Sequence, residues 1–102
     1  MIYFITTIGF YSDKYKDLAG KRHSRPLGYF FSFEEAKETI LGNLGDIFEA
    51  GFYSYAVIEK IPEGLYQEPV LSCWYRLEGS NVQASLIDPP SFAKDCSWSL
   101  GL

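Results

Sequence analysis

The residues best equipped for chemistry form one short run, Gly20-Lys21-Arg22-His23-Ser24-Arg25. It holds an ammonium, two guanidinium forks, an imidazole and a hydroxyl beside a glycine. Charged N–H donors of this kind suit phosphate or carboxylate, because charge-assisted hydrogen bonds are the strong ones and a guanidinium matches two acceptor oxygens at once. Lys14, Lys16, Lys21, Arg22 and Arg25 put five of the nine basic residues within twelve positions. From Tyr11 to Leu27 five basic residues stand against two acidic ones, a net +3, while the remainder has four against eleven, a net −7. Tyr29 and Phe30 follow closely and offer rings on which a base can stack. The expected site is therefore Lys21, Arg22, His23 and Arg25 around a small anionic, nucleotide-like ligand, with Tyr29 against it. The plainer reading is a solvated loop whose arginines pair with the acidic helix that follows, since exposed charge runs are commonly solvated.

Other chemistry finds less material. Gly20-Lys21 lacks the upstream glycine of a phosphate loop and is followed by Arg22 rather than Ser or Thr. His23 is the single imidazole; as a hydrolase residue it would need a nucleophile such as Cys73 or Cys96 beside it, and no recognised spacing supplies one. No catalytic residue, metal site or cofactor is expected. Cys73 and Cys96 form no CxxC pair and are expected as two thiols in a reducing cytoplasm. Glu34, Glu35, Glu38, Asp46 and Glu49 make an acidic patch that could mimic nucleic acid, but carboxylates at a helix start are already explained by the helix dipole.

The elements that must position these groups belong to one domain over residues 1–102. The chain is 47% hydrophobic and 22% charged, which excludes disorder as its dominant state. A net charge of −4 argues against duplex nucleic acid as a partner. The uncharged start from Ile2 to Phe10 is too short for a membrane span and lacks the flanks of a signal peptide; its β-branched and aromatic residues predict a strand. Tyr11 to Leu27 shows no useful periodicity and is expected as a long loop. Gly28 to Phe31 makes a short strand. Ser32 and Glu35 then form a capping box, and Phe33, Ala36, Ile40, Leu41 and Leu44 trace one face of a helix that Gly42 or Gly45 ends.

Asp46 to Gly51 reads as a helical turn with its own cap. Phe52 to Lys60 is a strand with Tyr53, Tyr55 and Val57 on one side, and Ser54, Ala56 and Ile58 on the other. Leu71 to Leu77 and Asn81 to Ile87 make a hairpin, and Ser91 to Cys96 a last short helix anchored by Phe92. The tail from Trp98 is apolar enough to dock. The fold expected is α+β, a small antiparallel or mixed sheet of four to five strands with one main helix on one face. The other face would be partly open and lined by Tyr53, Tyr55, Trp74 and Tyr75. At 18% aromatic residues, a surplus beyond core needs would mark an interface or pocket.

Tyr3 to Gly9, Ser24 to Phe30, Phe33-Glu34-Glu35-Ala36, Asp46 to Glu49, Tyr55 to Glu59 and Glu63 to Tyr66 together resemble a group of small uncharacterised proteins encoded in bacterial and phage genomes. The likeness spans roughly residues 2–76 and departs at Asp88-Pro89-Pro90 and Trp98. No activity comes with it. What it implies is a setting of phage or mobile elements, in which small non-enzymatic proteins block host defence. The expectation is thus a binding protein, a counter-defence inhibitor holding an anionic ligand. The alternative is a protein-interaction module that uses an aromatic sheet face to form a homo-oligomer or to cap a host protein.

Overall fold

The computed structural model describes residues 1–10, 22–65, 67–78 and 83–95. β1 (Ile2–Phe10) is buried along most of its length and hydrogen-bonded on both sides. Its neighbours are β2 (Arg22–Phe30) and β3 (Tyr55–Ile61), followed outward by β4 (Leu71–Glu78) and β5 (Gln83–Ile87). The order is β2-β1-β3-β4-β5 and every adjacent pair is antiparallel. With α1 (Phe33–Leu41) on one face, this is an α+β fold with a small sheet and one main helix.

The helix starts as its cap dictates: the Glu35 amide donates to Ser32 Oγ at 3.4 Å, and Glu34 and Glu35 occupy the first turn. It stops at Leu41 with Gly42 as its cap, and Asn43 turns the chain into the left-handed region at φ 45°. Helical spacing no longer applies past that point. Ala36 and Ile40 are buried as the spacing requires, whereas Leu41 and Leu44 are exposed, contrary to the single apolar face expected through Leu44. Two 3-10 turns follow, Leu44–Asp46 and Glu49–Gly51. They seat Ile47 and Phe48 in the helix-side core with Ile5, Tyr53, Ala56, Ile58 and Tyr75.

Alternation assigns the rest. Ala56 and Ile58 face α1, and so do Cys73, Tyr75, Leu77 and Ala84. Ile8, Val57 and Trp74 form a second cluster on the opposite face, with Tyr55, Ile87 and Phe92 packed against it. Phe92 comes from a last 3-10 turn, Ser91–Asp95. Its ring meets Phe10, Tyr55 and Trp74 edge-on at centroid distances of 5.2, 5.4 and 5.6 Å. The open aromatic face expected from the sequence is therefore corrected. Tyr53 and Tyr75 belong to the helix-side core, β3 begins at Tyr55 rather than Phe52, and Trp74 lies buried beside Phe92.

A second correction concerns the basic segment. Arg22 to Leu27, expected in a loop, continues the strand that ends at Phe30. Its inward row here is His23, Arg25 and Leu27, each half-buried, alternating with exposed Arg22, Ser24 and Pro26. Such a row carries no hydrophobic alternation to read. Pro26 is tolerated because an edge strand need not donate on its outer side. The rest of the basic segment, with Lys14, Lys16 and Lys21, lies outside the described residues, as does the tail from Cys96.

Candidate functional site

The inward row of β2 begins with His23, opposite Gly9 in the ladder. A Cβ on Gly9 would stand 2.7 Å from His23 Cε1 and 2.7 Å from the Phe52 carbonyl oxygen. The imidazole thus occupies the space that a side chain on β1 would fill, and position 9 must be glycine. The His23 ring lies 4.5 Å from that of Phe52 and 5.1 Å from that of Tyr53. Burial among these groups pushes its pKa below the usual histidine value, because a charged ring would lose hydration there.

Two positions on, Arg25 is opposite Thr7. Its Nη1 donates to Glu49 Oε1 at 2.7 Å and its Nη2 to the Ile47 carbonyl at 3.2 Å. Its guanidinium carbon lies 4.9 Å from the centre of the Tyr53 ring. These contacts hold the turn after α1, where Asn43, Asp46, Glu49 and Ala50 all take positive φ. Side chains support that conformation from within: Asn43 Oδ1 accepts from the Phe48 amide, and Asp46 Oδ1 from Asn43 Nδ2 and the Ala50 amide. Arg25 acts here as a clamp between sheet and turn. An arginine–acid pairing was one of the readings of the basic segment; its acid is Glu49 in the turn, not a residue of the helix.

The five expected ligand residues do not converge. His23 and Arg25 share Tyr53 on the helix side. Arg22 is on the other face, where its Nη1 donates to the Phe92 carbonyl at 3.0 Å and its guanidinium carbon is 5.6 Å from the Phe92 ring. Tyr29 is about 13 Å further along the strand from Arg25, 54% exposed and edge-on to Phe31 at 5.6 Å. Lys21 lies outside the described residues. Cys73 on β4 is three strand positions away from His23 on β2, about 14 Å across the sheet, and burial raises its thiol pKa. That arrangement offers no Cys–His pair. Among the described residues no group of three or more His, Cys, Asp or Glu could hold a metal ion, and no helix is long and apolar enough to cross a membrane.

Two features escaped the sequence. Glu59 is 2% exposed on the second face, opposite Phe4 in β1 and Ser72 in β4, and has a partner within the chain. It reads as an ordinary polar residue near a strand end.

The other is a notch. The β1–β2 register slips between Ile5, opposite Gly28, and Thr6, opposite Pro26, leaving Leu27 as the extra residue of a bulge. Gly28 has φ 148°, and a Cβ there would meet nothing within 4 Å. The missing side chain leaves a cavity of 280 Å³ between the bulge and α1, walled by Ile5, Leu27, Phe30 and Ile47, with Tyr29 and Thr39 at its edge. The Thr39 hydroxyl donates back to the Glu35 carbonyl, and the lining is mostly apolar. Exposed Glu35 lies one helical turn before Thr39, and Asp46 precedes Ile47. The only sequence signal was Pro26-Leu27-Gly28 where the expected loop meets the short strand.

Protein-family models, curated proteins and solved structures contain no match to this chain, so its function has to be argued from this geometry.

Proposed function

We propose that the chain is a non-enzymatic binding module, and that its notch at the β2 bulge takes one large apolar side chain from an extended, positively charged segment of a partner protein. The observation that carries this reading is the mostly apolar cavity of 280 Å³ beside an edge strand, under a helix bearing Glu35. At 280 Å³ the cavity stands at the small end of the range of small-molecule pockets, about 300–1,000 Å³, and has room for one large side chain. Exposed Glu35, one helical turn before Thr39, favours lysine or arginine beside that side chain. A nucleotide-like anion finds less support, because the guanidiniums of Arg22 and Arg25 are both engaged within the fold. In the phage or mobile-element setting that the sequence resemblance implies, such a module would work in the cytoplasm as an inhibitor capping a host protein.

The test uses blocked tripeptides with a central tryptophan flanked by lysines or by glutamates, titrated into isotope-labelled protein and followed by amide chemical shifts. The expected result is movement of the Gly28, Thr39 and Ile47 amides with the lysine peptide, and at least tenfold weaker binding of the glutamate peptide. Shifts confined to the Arg22–Arg25 end, equal response to both peptides, or none with either overturns the reading.

A further inference from the structure

Beneath the Arg25 clamp lie two buried polar atoms that make no hydrogen bond among the described residues, Thr7 Oγ1 and Arg25 Nε. Thr7 is 0% exposed. Arg25 Nε is sealed from solvent although both terminal nitrogens of the same guanidinium are bonded. The two residues are directly opposite in the β1–β2 ladder, where side chains share a face and Cβ atoms stand about 4.5–5.5 Å apart. The course of the arginine brings the two atoms together. Its guanidinium carbon lies 4.9 Å from the centre of the Tyr53 ring. Tyr53 leads into β3, on the far side of β1 from β2, and the next amide, Ser54, donates to the Ile8 carbonyl. The stem of Arg25 therefore crosses above β1 at the level of Thr7 and carries Nε over it.

We infer that this spot is a binding site for one water molecule, held between Thr7 Oγ1 and Arg25 Nε as a fixed part of the fold. Buried polar groups are rarely left unpaired, and the usual partner where no protein atom serves is an ordered water. The water accepts from the Nε–H and exchanges its second hydrogen bond with the hydroxyl, which can donate or accept. Ala56, opposite Thr7 on the β3 side, is small enough to leave room beside the hydroxyl. Charge selects water over an ion. The guanidinium repels a cation, and its own charge is already met by Glu49, so an anion gains little. Through this molecule the central strand is tied to Arg25, and through Arg25 to the turn that follows α1. The inference stands apart from the notch and from the function proposed for it.

A high-resolution crystal structure of the wild type tests it directly. Density for one water is expected at about 2.7–3.2 Å from both Thr7 Oγ1 and Arg25 Nε. Urea unfolding of Thr7→Val supplies a second readout whose sign discriminates. With the water in place, valine removes one of its two partners, and the folded-to-unfolded ratio should fall about threefold or more. Without it, valine only replaces an unpaired buried hydroxyl by a methyl of the same shape, and the variant should be as stable as the wild type or more so. Thr7→Ser, which keeps the hydroxyl, should keep the density. A wild-type crystal structure with no water between the two atoms overturns the inference, and so does a Thr7→Val protein no less stable than the wild type.

Discussion

Gly9→Ala tests the packing of the β2 inner row most directly. The added methyl meets two groups at once, the His23 ring at 2.7 Å and the Phe52 carbonyl oxygen at 2.7 Å, both nearer than a carbon can rest. The imidazole is the end of a side chain and can rotate; the carbonyl is backbone and can move only with the turn leading into β3. Overpacking that forces side-chain and backbone shifts costs about 1–3 kcal/mol, and the backbone contact argues for the upper half of that range. For a domain of this size each kcal/mol lowers Tm by about 4–8 °C. The assay is urea unfolding followed by circular dichroism, supported by a thermal scan. The double variant Gly9→Ala, His23→Ala separates the two contacts. Removing the ring should relieve part of the strain and give a coupling energy of about 0.5–1.5 kcal/mol, while the clash with the Phe52 carbonyl persists. A Gly9→Ala protein within about 0.5 kcal/mol of the wild type would refute the claim that His23 occupies the space above Gly9.

Three further outcomes follow from the same neighbourhood. The folded protein holds the His23 pKa below its unfolded value of 6.5, so the unfolded chain binds the proton more readily; stability is complete above about pH 6.5 and falls as the pH drops below it. A His23→Phe variant should lose that part of the pH dependence between unfolding curves at neutral and mildly acidic pH, and an unaltered slope would assign it elsewhere. Arg25→Ala should destabilise by about 1–2 kcal/mol, because it strands the Ile47 carbonyl and uncovers Tyr53, whereas Glu49→Gln should cost less than about 1 kcal/mol because that ion pair is well exposed; equal losses in urea unfolding would contradict the clamp. Gly28→Ala, strained at φ 148°, should lower stability by about 1–2 kcal/mol, and affinity for the lysine tripeptide should fall with it; a variant as stable as the wild type would mean that the bulge does not need glycine.

What could be read from the sequence was what periodicity and caps encode. The helix start at Ser32 and the anchor at Phe92 follow from local rules, and both occupy their expected places. β2 defeated the same rules because its inner row is held by side-chain chemistry instead of hydrophobicity. His23 packs by its ring and Arg25 by its pairing with Glu49, a residue 24 positions away. Nothing in the spacing of a strand announces a partner at that distance. The expected site drew together Arg22, Arg25 and Tyr29 because they are neighbours in sequence. Strand alternation separates Arg22 from Arg25, and strand length separates both from Tyr29. The notch was hidden for a related reason: it is created by a slip in pairing with Ile5, and register is a property of two strands together.

The aromatic surplus has a physical account in the same terms. One nine-residue helix can cover only part of one face of a five-stranded sheet. On that face Phe48, Tyr53 and Tyr75 complete the core that Ala36 and Ile40 begin. On the other face no helix of comparable length is available among the described residues, and Phe92 brings together Phe10, Tyr55 and Trp74 through edge-on contacts. Rings suit that task because each buries a large area from a single backbone position and because T-shaped pairs add attraction beyond area alone. Tyr29 and Phe31 are among the rings left exposed once both faces are covered. They sit past the bulge, at the end of the edge strand, and touch one another. Core packing does not require two large exposed rings there. Tyr29 lines the notch, so a side chain seated there under the proposed function would cover part of its exposed ring.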